Sequence, residues 1–448
     1  MAVYKIKQGL DLPIHGALEN HSLIDGPSVD RVALLPQESW GIKVQMLAQE
    51  GDQVQIGSPL YRDRRDPEVV FTSPGAGTVE AINRGAKRVV LSVVVKLDGS
   101  EDSVSFDKLD PATTSRETLV KTLCASGLWP NLRQRPFDKV AQADDTPRSI
   151  FVTAMDTHPL APSPKEMLAG REDAFKTGLT ALTKLSGSAT FLCTKAGEDW
   201  TALSVDGVTQ HGFSGRHPAG NAGVHINALD PVSMERKVWH IDYQGVAEIG
   251  ELLQSGVVPT ERRVAVVGPA AEKCAVYKTR RGASTTSFHS VCAVKGVRFV
   301  SGSLLGGATA DPGTEKGYLG RYAHQLTLVD DAPEREFLGW VKPIGSRWSL
   351  TNTYFAKFVK KKFHIDTDVN GGERAIVPLG NYEKVMPMDI LPTQLIKSIA
   401  SNDLEGAEKL GVLELVEEDL ALCQYVCPSK IDITDMLRAM LTRIEKEG

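Results

Sequence analysis

Two thiols four residues apart, Cys423 and Cys427, followed at once by Pro428, give the chain its clearest hint of chemistry. Bacterial ferredoxins use a C-x2-C-x2-C-x3-C-P run, spaced so that one loop and its helix reach an iron–sulfur cluster. The last three fixed positions of that run are matched here. The first two fall on Glu417 and Leu420. Leucine cannot ligate iron, and Glu417 stands beside Glu418 and Asp419 in what reads as a solvated acidic turn. The segment predicts a helical domain with the shape of a cluster domain and no cluster, with vestigial positions Glu417, Leu420, Cys423 and Cys427. No nearby histidine completes a zinc site with the two thiols.

Other candidate chemistry fails on spacing. The glycine-rich stretch Phe213–Gly223 fits neither G-x-x-x-x-G-K-[ST] nor G-x-G-x-x-G. Ile150–Met155 resembles the first strand of a dinucleotide-binding unit, but Asp156-Thr-His-Pro follows it, and an acid there repels a pyrophosphate. His158, His211, His217 and His225 match no metal-ligand spacing and read as loop or core histidines. No G-x-S-x-G or H-E-x-x-H is present.

Near the N-terminus, Glu50-Gly-Asp through Leu60, then Ser73-Pro-Gly-Ala-Gly-Thr-Val79, resemble the biotinyl/lipoyl-carrier fold, a hairpin sandwich. Gly51 and Gly57 supply its turns. A carrier presents a modified lysine on the hairpin between these motifs. Here that hairpin is Arg62–Glu68 and has no lysine, so the resemblance supports the fold and opposes carrier chemistry.

The elements that must position these residues follow from pattern. The first hundred residues read as short strands, among them Tyr4–Ile6, Arg31–Leu35, Gly77–Ile82 and Arg88–Leu97, broken by Gly, Pro and Asp. Beyond Lys108 strands alternate with helical periods: Phe175, Leu179 and Leu182 share one helix face, as do Val246, Ile249, Leu252 and Leu253 before a stop at Gly256. A third, β-rich unit starts near residue 258, and helices dominate from Leu391, the last placing Ile433, Met436, Leu437, Met440, Leu441 and Ile444 on one stripe with Asp432 as N-cap. The expectation is a multidomain α/β chain: a biotinyl/lipoyl-like β sandwich over 1–105, a Rossmann-like α/β domain over 106–257, a β-grasp-like (SLBB-type) domain over 258–375 and a C-terminal helical domain over 376–448.

Composition bounds the rest. The 448 residues are 24% charged and 42% hydrophobic with a net charge of -5, which excludes wholesale disorder and offers nucleic acid no basic field. No apolar stretch approaches the roughly 20 residues that span a bilayer, and the N-terminus has no signal-peptide core. Six cysteines are too few for a disulfide framework and suit a reducing cytoplasm.

End to end, the chain resembles the NqrA family, a component of the bacterial Na+-translocating NADH:quinone reductases. The resemblance rests on Ile6–Ile14, Ala81–Arg88, Ile150–Thr157, His217–Gly220, Ser301–Gly306, Gly371–Arg374, Val385–Pro392 and Glu417–Pro428. It implies a peripheral subunit without a membrane span on the cytoplasmic face of the inner membrane, in a six-subunit complex that passes electrons from NADH to ubiquinone and exports Na+. It also implies kinship with RnfC and with the NADH- and flavin-binding subunit of complex I. In those relatives a G-R-G-G-A-G-F-P-like loop lets backbone approach the flavin phosphate. The matching region is Gly127–Phe137, where Trp129, Leu132 and Arg133 replace glycines and fill that space. The expectation is that no cofactor is bound by this chain, with flavins, the iron–sulfur centre, NADH and the Na+ path in partner subunits and ubiquinone a candidate ligand. The rival is an RnfC-like NADH/ferredoxin dehydrogenase with its own flavin and clusters.

Two segments are candidate contacts. Trp129, Arg133, Arg135 and Phe137 combine aromatic and guanidinium groups suited to a quinone head group or a partner interface. In Tyr354–Phe363, Tyr354, Phe355, Phe358, Val359 and Phe363 share a face beside Lys357, Lys360, Lys361 and Lys362, a basic amphipathic segment fit to dock on an anionic membrane or an acidic partner.

Overall fold

Both faces of the strand Val90–Leu97 are covered, which is why its sequence runs VLSVVV instead of alternating: Val93 and Val95 point into the main core, while Val94 packs with Ala33 and Tyr318 in a second cluster. The computed structural model describes residues 2–292, 296–331, 348–351 and 361–447. Val90–Leu97 lies in a four-stranded sheet with Arg31–Leu34, Gly77–Arg84 and Gln53–Val54, accompanied by a three-stranded sheet of Val44–Met46, Pro59–Asp63 and Val70–Thr72. Gly77, at φ 151, lies against the carbonyl of Lys96, where any Cβ would stand 2.0 Å from that oxygen. The Arg62–Glu68 hairpin is pinned, not presented: Asp66 accepts the backbone N–H of Ala143 at 2.9 Å and Arg65 donates to the carbonyl of Gly41 at 3.1 Å.

The α/β unit is a seven-stranded sheet in the order Ala2–Lys5, Val208–Ser214, Ala189–Lys195, Ser149–Ala154, Val238–Asp242, Arg133–Arg135, Lys139–Val140, with the first five parallel. Phe175, Leu179 and Leu182 of helix Glu172–Leu185 are fully buried against helix Tyr243–Ser255, as their period predicts. Asp242 caps the second helix by accepting from Gly245 N at 2.9 Å, and Gly256 ends it at φ 75. The two helices approach closely because Gly178 and Gly250 meet backbone carbonyls of the opposing helix.

In the third unit Glu261–Val267 pairs antiparallel with Ala275–Arg280 and parallel with Gln325–Asp330, which in turn pairs antiparallel with Val297–Ser301. The C-terminal unit packs helices Pro392–Ala400, Leu404–Lys409, Glu417–Val426 and Ile433–Glu447 around Leu395, Leu420, Ile433, Leu437 and Leu441. Asp432 accepts from Asp435 N at 3.2 Å, as an N-cap should.

The N-terminal thirty residues differ from expectation. Ala2–Lys5, counted among the sandwich strands, pairs parallel with Val208–Ser214 at the edge of the α/β sheet, and Leu23–Asp25 pairs parallel with Ala275–Arg280 in the third unit. A short β-branched run shows that it is a strand; which sheet edge it completes depends on where free backbone N–H and C=O groups lie in the fold.

The helix crossing yields a stability prediction. A side chain at residue 250 would place its Cβ 1.7 Å from the carbonyl oxygen of Ala174. Gly250→Val should force the helices apart and cost about 1–3 kcal/mol, read as a lower urea midpoint, whereas the same change at Gly170, with nothing within 4 Å of its Cβ but φ +78, should cost only the backbone strain.

Candidate functional site

An acid–base clamp joins two segments that stand far apart in the sequence. The strand Arg133–Arg135 and the turn after it bring Arg133, Arg135 and Asp138 against the N-terminus of helix Glu417–Val426. Arg135, with 1% of its surface exposed, donates to Glu418 at 2.9 Å and to the buried Asp419 at 3.1 Å. Glu417 pairs with Arg438 of the last helix, and Arg438 donates to the carbonyl of Phe137 at 2.7 Å. Phe137 and Asp138 sit at φ 79 and 55, a conformation costly for non-glycine residues and held here by these contacts. The expectation of a solvated acidic turn at Glu417 is therefore corrected: all three acids are engaged, because the buried arginines must pair their charge.

Charge sets the protonation of this clamp. Burial pushes the Asp138 carboxyl up, but Arg133 at 2.8 Å and His240 at 2.7 Å more than offset it and hold it well below the carboxylate range. Burial raises Asp419 as well, and there Arg135 compensates only in part, so the group ends at about 6. Its carboxylate also lies against Gly223, the second residue of helix Ala222–Leu229, where a Cβ would stand 2.4 Å from Oδ1. The glycine-rich stretch Phe213–Gly223 thus brings a helix N-terminus close against the protein's own Asp419. Asn221 at that terminus donates to the carbonyl of Glu418 at 3.1 Å.

Of the expected contact residues, Trp129 is fully buried; its indole N–H donates to the carbonyl of Ala141 at 2.7 Å and its ring meets Trp239 edge-on at 5.4 Å. Leu132 is fully buried too, so these side chains occupy the space that a flavin would take at a glycine loop, and a flavin does not fit there. Phe137 packs into the C-terminal core. Arg133 keeps partial exposure, its guanidinium 4.5 Å from the Tyr322 ring.

Cys423 and Cys427 are buried as free thiols, and burial pushes Cys423 far above the ordinary thiol range. The hydroxyl of Tyr382 lies 3.0 Å from the Cys427 sulfur and Leu420 is fully buried in the helical core. With Glu417 committed to Arg438, these four positions do not fit a four-thiolate cluster. Among the described residues, no group of three or more His, Cys, Asp and Glu side chains could hold a metal ion. Lys357 and Lys360, with Tyr354, Phe355, Phe358 and Val359, lie outside the described residues. Lys361 and Lys362 are exposed, and Phe363 is buried beside Ile14, with its N–H donating to the Pro13 carbonyl at 2.7 Å.

Sequence reasoning missed a second cluster. Strand order reverses between Ser149–Ala154 and Val238–Asp242, and ligands of open α/β sheets bind at the carboxyl ends of such strands. There Asp156 pairs with His158 at 2.9 Å, and His217 lies 4.8 Å from His158 ring to ring. The crevice is filled from the third unit: His324 stacks on Tyr243 at 4.6 Å and hydrogen-bonds Gln244 at 3.0 Å. Burial raises Asp156, but His158 outweighs it and brings the carboxyl to about 2; burial, aided by His158, drives His217 down to about 3. The signal available was an acid at or just past the carboxyl end of each strand, Asp242 and Asp156.

A barrel sandwich joined to an open α/β sheet, a third β-rich unit and a C-terminal helical unit define a multidomain α/β protein. Family models described as the NqrA N-terminal barrel-sandwich hybrid domain and the NqrA second alpha/beta domain match residues 4–98 and 114–258. The NqrA component of the Na+-translocating NADH-quinone reductase from Yersinia pseudotuberculosis is 45% identical over 99% of this chain and 100% of that protein. Its Mannheimia succiniciproducens counterpart is 45% identical over 99% of both chains, and the Pasteurella multocida one 44% over 99% of both. The chain belongs to this NqrA family, and the RnfC-like alternative is not favoured. A solved NAD+-reducing [NiFe]-hydrogenase in the H2-reduced state overlays 49% of this chain and 48% of its own with a TM-score of 0.38 at 12% identity.

The clamp and the crevice can each be tested. Arg135→Gln leaves Asp419 buried without its charge partner and should cost about 3–5 kcal/mol, seen as early protease cleavage within residues 376–447; Arg135→Met with Asp419→Leu should recover much of that loss. Asp156 has its folded value below its unfolded one, so its contribution is present above about pH 4 and is lost as pH falls toward 2. Asp156→Asn should therefore flatten the acid limb of a stability–pH curve.

Proposed function

We propose that this chain is the peripheral NqrA component of a Na+-translocating NADH:ubiquinone oxidoreductase of the bacterial respiratory chain, supporting ubiquinone reduction coupled to Na+ export and the assembly of the complex. The observation that carries the reading is identity of 45% across 99% of the chain with a protein of that name. In this reading the chain binds no redox centre, and flavins, the iron–sulfur centre, NADH and the Na+ path belong to the other five subunits. Trp129, Leu132, His324 and Asp419 support it, since each occupies space or charge that a cofactor would need.

The third unit reads as β-grasp-like, supported by two antiparallel hairpins whose inner members form a central parallel pair. The helical unit reads as a degenerate cluster domain, supported by Cys423, Cys427 and Pro428 in the spacing of the ferredoxin run. The domain limits near 105, 257 and 375 are retained. Attachment to the cytoplasmic face of the membrane through partner subunits is supported by the relatives' name together with the finding that, among the described residues, no helix is long and apolar enough to cross a membrane. Lys361 and Lys362, with Lys357 and Lys360, remain the proposed docking cations, and quinone or partner contact at the Trp129–Phe137 loop narrows to Arg133, the member that keeps solvent access beside Tyr322.

Purified protein should show no flavin or iron–sulfur absorption and no NADH:quinone activity alone. Membranes lacking the chain should lose Na+-coupled ubiquinone reduction and regain it on expression in trans. Stoichiometric flavin or iron in the isolated chain, or full coupled activity without it, would refute the proposal.

A further inference from the structure

The hairpin that joins Gly77–Arg84 to Val90–Leu97 carries its charge at the tip. Residues 81–97 hold Arg84, Lys87, Arg88 and Lys96 and neither Asp nor Glu, in a chain whose net charge is -5. Arg84, Ala86, Lys87, Arg88 and Val89 are all exposed, Val89 to 49%. The acids beside the stem are engaged elsewhere. Glu80 pairs with Arg31 at 2.6 Å, and Glu50 accepts the backbone N–H of Ile82 at 2.8 Å. Arg84 donates to the carbonyl of Arg88 at 3.2 Å, and among the described residues none of the three tip cations is in an ion pair.

The backbone at the tip is strained. The Val89 N–H donates to the Ala86 carbonyl at 3.2 Å, closing a turn in which Lys87 and Arg88 stand at φ 53 and 62. Positive φ at both central positions defines a type I′ turn, whose twist suits a hairpin and whose favoured residues are Asn-Gly. A lysine and an arginine there bear the Cβ–carbonyl crowding of the left-handed region, which Asn-Gly largely avoids. Strain of this kind is kept where the side chains serve something other than the turn. The stem holds it in place: Val93 and Val95 anchor one strand in the main core, and Val94 fills the second cluster.

We infer that this hairpin tip docks on an anionic phospholipid surface, with Arg84, Lys87 and Arg88 against headgroup phosphates and Val89 entering the interfacial layer. A protruding tip with long, unpaired cations fits a laterally mobile array of phosphates, which adjusts to it without a preformed groove. Each Lys or Arg near such a surface raises partition about fivefold, so the three together give about a hundredfold. The net negative charge of the rest of the chain opposes this little beyond a Debye length, about 8 Å at physiological salt. The inference deepens the peripheral placement proposed above and rests on it for which membrane is touched. Vesicle binding by the isolated chain is read without partner subunits, so the two can fail separately.

The test is co-sedimentation of the full chain with vesicles of pure phosphatidylcholine and of its equal mixture with phosphatidylglycerol. Binding is expected only with phosphatidylglycerol, falling as salt rises from about 0.05 to about 0.5 M. Arg84→Gln with Lys87→Gln and Arg88→Gln should weaken partition about a hundredfold. Lys87→Asn with Arg88→Gly removes two cations while giving the turn its favoured pair. It should weaken partition about twentyfold with a melting temperature no lower than that of the wild type, which separates lost charge from lost fold. No preference for phosphatidylglycerol, or binding unchanged in either hairpin variant, overturns the inference. So does binding to polyglutamate without binding to the vesicles, which would assign the tip to an acidic protein partner.

Discussion

Arg135, bound to Glu418 and Asp419, fixes how the α/β sheet and the C-terminal helices meet. The contact crosses 284 residues of sequence and is made by groups that water scarcely reaches. A buried ion pair adds little net stability over a well-packed apolar contact, because desolvation consumes most of the Coulomb energy. Its value lies in specificity, since a displaced helix would leave two acids and an arginine buried and unpaired. Arg438 extends the same logic by tying Glu417 to the backbone of Phe137. The strained turn at Phe137 and Asp138 is thereby held from both sides.

The clamp also reaches parts of the fold where open α/β proteins commonly take ligands. A helix N-terminus at Ala222 and a strand-end crevice at Asp156 both attract ligands by virtue of backbone dipoles and geometry. Here the Asp419 carboxylate lies against Gly223 and His324 stacks into the crevice on Tyr243. Each unit closes its neighbour's site.

The units are further stitched by the chain's own beginning. Ala2–Lys5 extends the α/β sheet, Ile14 bridges Phe363, and Leu23–Asp25 extends the third unit before the sandwich starts. Few apolar contacts are needed for this, since strand pairing satisfies backbone groups wherever an edge is open.

Periodicity was enough to place the helices Glu172–Leu185, Tyr243–Ser255 and Ile433–Glu447, their caps at Gly256 and Asp432, and the turns at Gly51 and Gly57. These depend on neighbours within a few residues, which is the range over which side-chain type dictates backbone conformation. Residue type also showed that Leu420 could not ligate iron and that the Arg62–Glu68 hairpin had no lysine to modify. Where charge goes was settled by folding alone. Glu417, Glu418 and Asp419 look like a solvated run because a sequence cannot show that Arg135 and Arg438 are brought to them and that Asp419 is buried. Asp156, His158, His217 and His324 likewise acquire shifted protonation only when strands far apart in sequence end at one crevice. Electrostatic energy depends on distance and local dielectric, and both are properties of the folded chain.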